Sequence, residues 1–166
     1  ALLLQAVKKL RPRGEGKELY LTDCLEYVRG LGGRVAGFLS PTPEEVMGVN
    51  TKIQLAQAER VLNRRMLERL MLAGVTVIDP ATVYVDADVE VGQDSQLLPG
   101  SILKGKTKIG KNCTIGPFTR IEDASIGNES TVIFSVVTNS RILEKSSIGP
   151  YAHIRPESVI GPRARV

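Results

Sequence analysis

Set in blocks of six, residues 85–120 read VDADVE VGQDSQ LLPGSI LKGKTK IGKNCT IGPFTR. Each block opens on an aliphatic residue: Val85, Val91, Leu97, Leu103, Ile109 and Ile115, with Ile121 opening the next. The row slips by one residue to Ile126 and Val132, slips by two to Val136, and runs on through Ile142, Ile148, Ile154, Ile160 and Val166. Four positions after the aliphatic the residue is usually small, as at Ser95, Ser101, Thr107, Cys113, Thr119, Ser125, Ser130, Ser140 and Ser146. Glycine often follows the aliphatic directly, at Gly92, Gly110, Gly116, Gly127, Gly149 and Gly161.

Two matched positions on a six-residue period predict a prism rather than a sandwich of period-2 strands. Each short strand turns one aliphatic inward and then bends. The bend crowds the axis, so only a small side chain fits inside it, and glycine suits an unusual backbone conformation there. One hexad per face and three faces per coil give a turn of about 18 residues, stacked as a solenoid. The repeat does not reveal the hand of the coil.

Residues before the repeat read differently. The stretch from Ala1 to about Arg11 is an expected amphipathic helix, and Arg13–Lys17 a loop rich in glycine and charge. Leu19–Leu21 reads as extended, with Thr22 or Asp23 capping a short helix that stops at the Gly30–Gly33 cluster. Val35–Leu39 reads as a strand, and Pro41-Thr-Pro as a turn. The longest helix is expected from Thr51 to about Leu72, with Asn50 as N-cap and Gly74 just past its end. Leu55, Leu62, Met66 and Leu70 form its apolar row.

Composition narrows the function classes. Apolar residues make up 42% and charged residues 24%, ordinary for a water-soluble domain. No apolar run reaches the roughly 18 residues of a membrane span. The opening ALLLQAVKKL places its charges after the apolar run, the reverse of a secretion signal, so a cytoplasmic location is expected. Cys24 and Cys113 stand alone, without the clustering of a disulfide framework or zinc site. The net charge of +4 reads as solvated surface. The arginines of the long helix lack the interleaved aromatics of single-strand nucleic-acid binders.

Four motifs in order, Glu18-Leu-Tyr-Leu-Thr-Asp23, Gly48-Val-Asn50, Leu70-Met-Leu-Ala-Gly-Val75 with Asp79-Pro80, and Ile148-Gly-Pro-Tyr-Ala-His-Ile-Arg-Pro156, resemble one family. It is the bacterial bifunctional N-acetylglucosamine-1-phosphate uridyltransferase / glucosamine-1-phosphate acetyltransferase family. The resemblance implies three parts. Residues 1–52 would be the C-terminal part of a Rossmann-like α/β nucleotidyltransferase domain, 53–74 a linker helix, and 75–166 the first coils of a left-handed parallel β-helix that trimerises. It implies an enzyme that acetylates glucosamine 1-phosphate with acetyl-CoA. The product, N-acetylglucosamine 1-phosphate, is then uridylated with UTP and Mg²⁺ to UDP-N-acetylglucosamine. The family's Gly-rich nucleotide loop, first magnesium aspartate and catalytic histidine lie outside the matched motifs. The chain is therefore expected to be an internal segment, inactive by itself. The alternative is a non-catalytic β-helix module whose activity is trimerisation.

Through the same resemblance Asn50 would help hold Mg²⁺ and sugar nucleotide, and an amide oxygen suits that hard cation; without the family, it reads as a plain helix cap. Arg155 would contact the phosphorylated sugar, for which a guanidinium fork is suited; otherwise it is an outward solenoid arginine. Glu18, Tyr20 and Thr22 would line the sugar pocket, although Leu19 stands where the family commonly has a second Tyr. His153, the only histidine, does not match the catalytic one and reads as surface. Cys113 reads as corner packing rather than a nucleophile.

Overall fold

A computed structural model describes residues 2–166, and the chain divides into two compact units, up to Val46 and from Met47 onward. The first unit holds helices α1 (Leu2–Val7) and α2 (Cys24–Gly30), with 3-10 turns at Leu21–Asp23 and Pro43–Val46. Of the helix expected from Ala1 to Arg11, Ala1 lies outside the described residues and the rest ends at Val7. Tyr20 is extended, but Leu21 already enters the 3-10 turn. Asp23 precedes α2 without a side-chain capping bond; its carboxylate instead meets Arg13 Nε at 3.2 Å. The strand expected at Val35–Leu39 is not formed. Extended backbone needs a neighbour for its N–H and C=O groups, and in this unit the one described bridge joins Arg13 to Glu18.

In the second unit, α3 spans Lys52–Leu72. Its cap is Thr51 and not Asn50: the Thr51 hydroxyl accepts from Gln54 N at 3.2 Å, while Gln54 Oε1 accepts from Thr51 N at 2.9 Å. This reciprocal box needs Thr and Gln three apart, which Thr51-Lys-Ile-Gln54 supplies. The far end closes at Gly74, whose φ of +91° lets Gly74 N reach Met71 O and Val75 N reach Leu70 O. Leu67 and Leu70 are buried, whereas Leu55 and Leu62 are exposed, so the buried apolar contacts of the helix fall in its last third.

Fifteen short strands follow, three per coil. The first coil carries β1 (Thr76–Val77), β2 (Tyr84–Val85) and β3 (Glu90–Val91). The second carries β4 (Gln96–Leu97), β5 (Ile102–Lys104) and β6 (Lys108–Ile109); the third β7 (Thr114–Ile115), β8 (Arg120–Glu122) and β9 (Ser125–Ile126). The fourth has β10 (Thr131–Val132), β11 (Val136–Thr138) and β12 (Arg141–Ile142), and the fifth β13 (Ser147–Ile148), β14 (His153–Ile154) and β15 (Val159–Ile160). They stack into three five-stranded parallel sheets, β1-β4-β7-β10-β13, β2-β5-β8-β11-β14 and β3-β6-β9-β12-β15. This is the three-walled prism of a left-handed parallel β-helix.

One apolar column runs up the axis. Leu97, Leu103, Ile115, Ile121, Val132, Val137 and Ile148 are fully buried in it. The second slip in the repeat falls differently from the expected one. Val137 points inward and Val136 is 39% exposed, because β11 pairs Val137 with Ile121 below and Ile154 above. The shortening is thus spread as single-residue deletions at successive bends. Likewise the small inward residues are Ala124 and Ser135, while Ser125 lies exposed on its strand.

The bends explain the residue choice. Inward hydroxyls take up carbonyls of adjacent coils: Ser95 Oγ donates to Gly110 O at 2.8 Å, Ser101 Oγ to Ile115 O at 3.1 Å, and Ser146 Oγ to Gly161 O at 2.9 Å. Some also accept an amide, as Ser95 does from Cys113 N at 2.9 Å. Serine therefore fits the corner and also satisfies buried backbone, which alanine does not. Most left-handed residues fall two or three positions after the aliphatic and are not glycine: Asn112, Phe118, Asp123, Glu129, Phe134, Asn139, Lys145 and Tyr151 all have positive φ, while Gly116 and Gly149, directly after the aliphatic, have φ of +100°. Each such conformation costs about 1–2 kcal/mol, offset by an inter-coil bond such as Glu129 N to Lys111 O at 2.8 Å. Gly92, Gly110 and Gly127 are needed for a different reason, since a Cβ there would strike main chain of the next coil.

Candidate functional site

The sheet containing β14 offers the clearest recognition surface. With Ile154 buried, alternation along β14 turns His153 and Arg155 outward. The pairing Val136↔His153 and Val137↔Ile154 puts Arg155 in line with Thr138 of the coil below. Among the described residues no carboxylate is paired with His153 or Arg155, whereas Arg120 on the same face is tied to Glu122 at 2.5 Å. Arg155 thus presents an exposed, uncommitted guanidinium fork. A guanidinium of this kind can donate two parallel N–H bonds to an anion.

An aromatic ridge borders this surface. Phe118, Phe134 and Tyr151 occupy the same bend in successive coils, with ring centroids 5.9 and 6.0 Å apart. Their left-handed backbone swings the side chains outward, and Tyr151 remains 85% exposed. The hexads mark two of its members, since Phe118 and Tyr151 each stand three after the aliphatic in an Ile-Gly-Pro-aromatic run, whereas Phe134 stands only two after Val132 and is off that spacing.

Asn50 lies one residue before the α3 cap. Its backbone N donates to Gln54 Oε1 at 2.7 Å, and the residue is exposed. Asn63, which touches the first coil, is about 20 Å further along the helix axis, so Asn50 and Arg155 belong to different surfaces of this unit. No group of three His, Cys, Asp or Glu able to hold a metal occurs among the described residues. One amide oxygen does not satisfy Mg²⁺, which requires a near-octahedral oxygen shell, so the residues present do not by themselves fit that ion.

In the first unit, Glu18, Tyr20 and Thr22 are exposed. Tyr20 Oη donates to Glu18 Oε2 at 3.1 Å, which puts a carboxylate and a hydroxyl side by side. Thr22 sits within the 3-10 turn that leads into α2. Cys113 is 1% exposed, and burial pushes its thiol above the usual range; Sγ donates to Gly127 O at 3.2 Å. It is a packed corner residue and not an activated nucleophile. No helix among the described residues is long and apolar enough to cross a membrane.

The prism, its hydroxyl-lined corners and its outward arginine define a hexapeptide-repeat β-helix. Residues 88–123 match the bacterial transferase hexapeptide (six repeats) family. Over 160 residues the chain is 49% identical to Bifunctional protein GlmU of Caldanaerobacter subterraneus subsp. tengcongensis and 44% identical to that of Thermoanaerobacter pseudethanolicus. Over 165 residues it is 43% identical to the Clostridium beijerinckii protein of the same name. These alignments cover 96%, 96% and 99% of the chain, but 35%, 35% and 36% of the relatives, so it spans about a third of their length. The chain is homologous, through both of its units, to a segment of Bifunctional protein GlmU.

Proposed function

We propose that this chain is a working segment of an enzyme that makes UDP-N-acetylglucosamine, joining a nucleotidyltransferase part to an acetyltransferase β-helix. The observation that carries the reading is 49% identity sustained over 160 residues, across both units. In this reading Arg155 grips the phosphate of glucosamine 1-phosphate during acetyl transfer from acetyl-CoA. Its exposed fork, free of any carboxylate, supports that role. Glu18, Tyr20 and Thr22 hydrogen-bond the sugar of N-acetylglucosamine 1-phosphate in the UTP-dependent step, and Asn50 contributes to the sugar-nucleotide site. The solenoid associates as a homotrimer in the cytoplasm.

In this reading the described residues offer groups for anion and hydroxyl recognition, and among them no positioned acid–base pair is described. Neither UTP-dependent nor acetyl-CoA-dependent turnover is expected from them. Formation of UDP-N-acetylglucosamine by the purified chain would overturn that statement. The wider assignment is tested by grafting residues 1–166 in place of the matching segment of the Caldanaerobacter protein. The graft should sustain both reactions. Arg155→Ala in the graft should lower acetyl transfer at least tenfold through sugar-phosphate KM and leave uridylyl transfer unchanged. Equal loss of both reactions, or of neither, would remove Arg155 from the phosphate site.

A further inference from the structure

The first coil of a solenoid has an open side where backbone N–H and C=O groups lack a neighbouring strand, and such an edge is a template for another chain. In β2, Tyr84 N and the following Asp86 N donate to Ser101 O and Leu103 O of the second coil at 2.9 and 3.0 Å. Val83 C=O and Val85 N–H therefore face the open side. Asn63 of α3 meets both: Nδ2 donates to Val83 O at 2.8 Å and Oδ1 accepts from Val85 N at 3.0 Å. One planar amide supplies the donor and acceptor that a neighbouring strand's peptide groups would supply. Arg69, further along the helix, continues the row, with Nη2 donating to Ala87 O at 3.1 Å and Val89 O at 3.5 Å.

Packing alone does not call for these residues. Leu67 and Leu70 already close the end of the apolar column, at 1% and 4% exposure. An asparagine beside them would be a poor choice unless its amide is used, because an unmatched buried amide is costly. We propose that α3 is a strand-mimicking cap, in which Asn63 and Arg69 occupy the open β2–β3 edge and prevent a second copy of this chain from pairing there. A second copy is the fitting occupant because its coils repeat the same triangular outline five times and carry strands of matching length.

The test uses the whole chain with Asn63→Leu, a substitution of the same branching and good helix propensity, and separately Arg69→Met, which leaves the amide in place. Hydrogen exchange reports the Val85 amide, and sedimentation velocity reports size against concentration. In Asn63→Leu the Val85 amide should exchange about tenfold faster or more, and species larger than the wild-type assembly should accumulate with concentration. Arg69→Met should give the same growth in size to a smaller extent, and reads the proposal even if Asn63→Leu unfolds. Unchanged size in a folded variant whose Val85 amide exchanges faster would overturn the cap, showing the contact to be structural only. Unchanged exchange in Asn63→Leu would overturn the strand mimicry itself.

Discussion

Replacing Gly127 by alanine tests whether the coils are held apart by main chain alone. The added Cβ would lie 2.5 Å from Glu144 N, 2.7 Å from Leu143 C and 2.8 Å from Glu144 Cα. All three are backbone atoms, so no side chain can rotate away. Carbon contacts are comfortable near about 3.5–4.0 Å, and the fourth coil must lift locally by close to an ångström. That motion stretches the Gly127 N to Ile142 O bond, now 2.8 Å. Overpacking costs about 1–3 kcal/mol and the weakened hydrogen bond about 1. The reduced freedom of the unfolded chain returns about 0.4–1 kcal/mol. A net loss of about 1–3.5 kcal/mol follows, or roughly 2–14 °C in Tm for a chain of this size. Gly161→Ala is the matched comparison, because its Cβ would meet nothing within 4 Å. Urea and thermal unfolding followed by far-ultraviolet circular dichroism measure both variants. If Gly127→Ala unfolds at the same midpoint as Gly161→Ala, close approach of the coils is not why glycine is there.

The register of the fourth coil is tested by a neighbouring pair: Val137→Ala should cost about 1.5–3 kcal/mol in urea unfolding, while Val136→Ala, on the half-exposed outer face, should cost under about 0.5. Equal losses would contradict the inward assignment of Val137. Cys113 gives a pH signature. Its thiol is raised by burial, so the unfolded chain releases the proton first; the stabilisation is complete below the ordinary thiol value of about 8.5 and is lost as pH rises through the folded value. Unfolding free energy should therefore fall above about pH 8.5, and Cys113→Ala should remove that part of the slope. Thr51→Ala should weaken α3 by about 1 kcal/mol, measured as lost helical signal and earlier unfolding, whereas Asn50→Ala should have little effect because the capping box does not use its side chain.

Much of the solenoid was readable because its period is imposed by geometry: an aliphatic every sixth residue fills each wall, and a small residue must follow at each bend. The reading failed where that period breaks. Val136 and Val137 are both β-branched and aliphatic, and the hexad pattern does not say which faces inward; the pairing of Val137 with Ile121 and Ile154 decides it. Glycine was readable as a bend residue, and its expected reason, an unusual backbone conformation, holds at Gly116 and Gly149 but not at Gly92, Gly110 and Gly127. Gly127 is excluded from bearing a side chain by Glu144, a residue 17 positions away that only stacking brings near. Asn50 looked like a helix cap by residue type, and the reciprocal Thr51–Gln54 bonds displaced it by one position.

The candidate site divides in the same way. Arg155 was singled out through its motif, and its outward direction follows from the buried Ile154 beside it. What local spacing could not show is that Phe134 joins Phe118 and Tyr151 at one bend, or that Asn63 serves an edge 20 or more residues ahead of it. Sequence by itself determined the repeat, the three-walled coil, the extent of the long helix to Gly74, and the kinship with Bifunctional protein GlmU. Tertiary structure alone decided which coil positions meet. In a solenoid the contacts lie between coils, 16 to 20 residues apart as the register runs, and each deletion at a bend shifts every partner that follows.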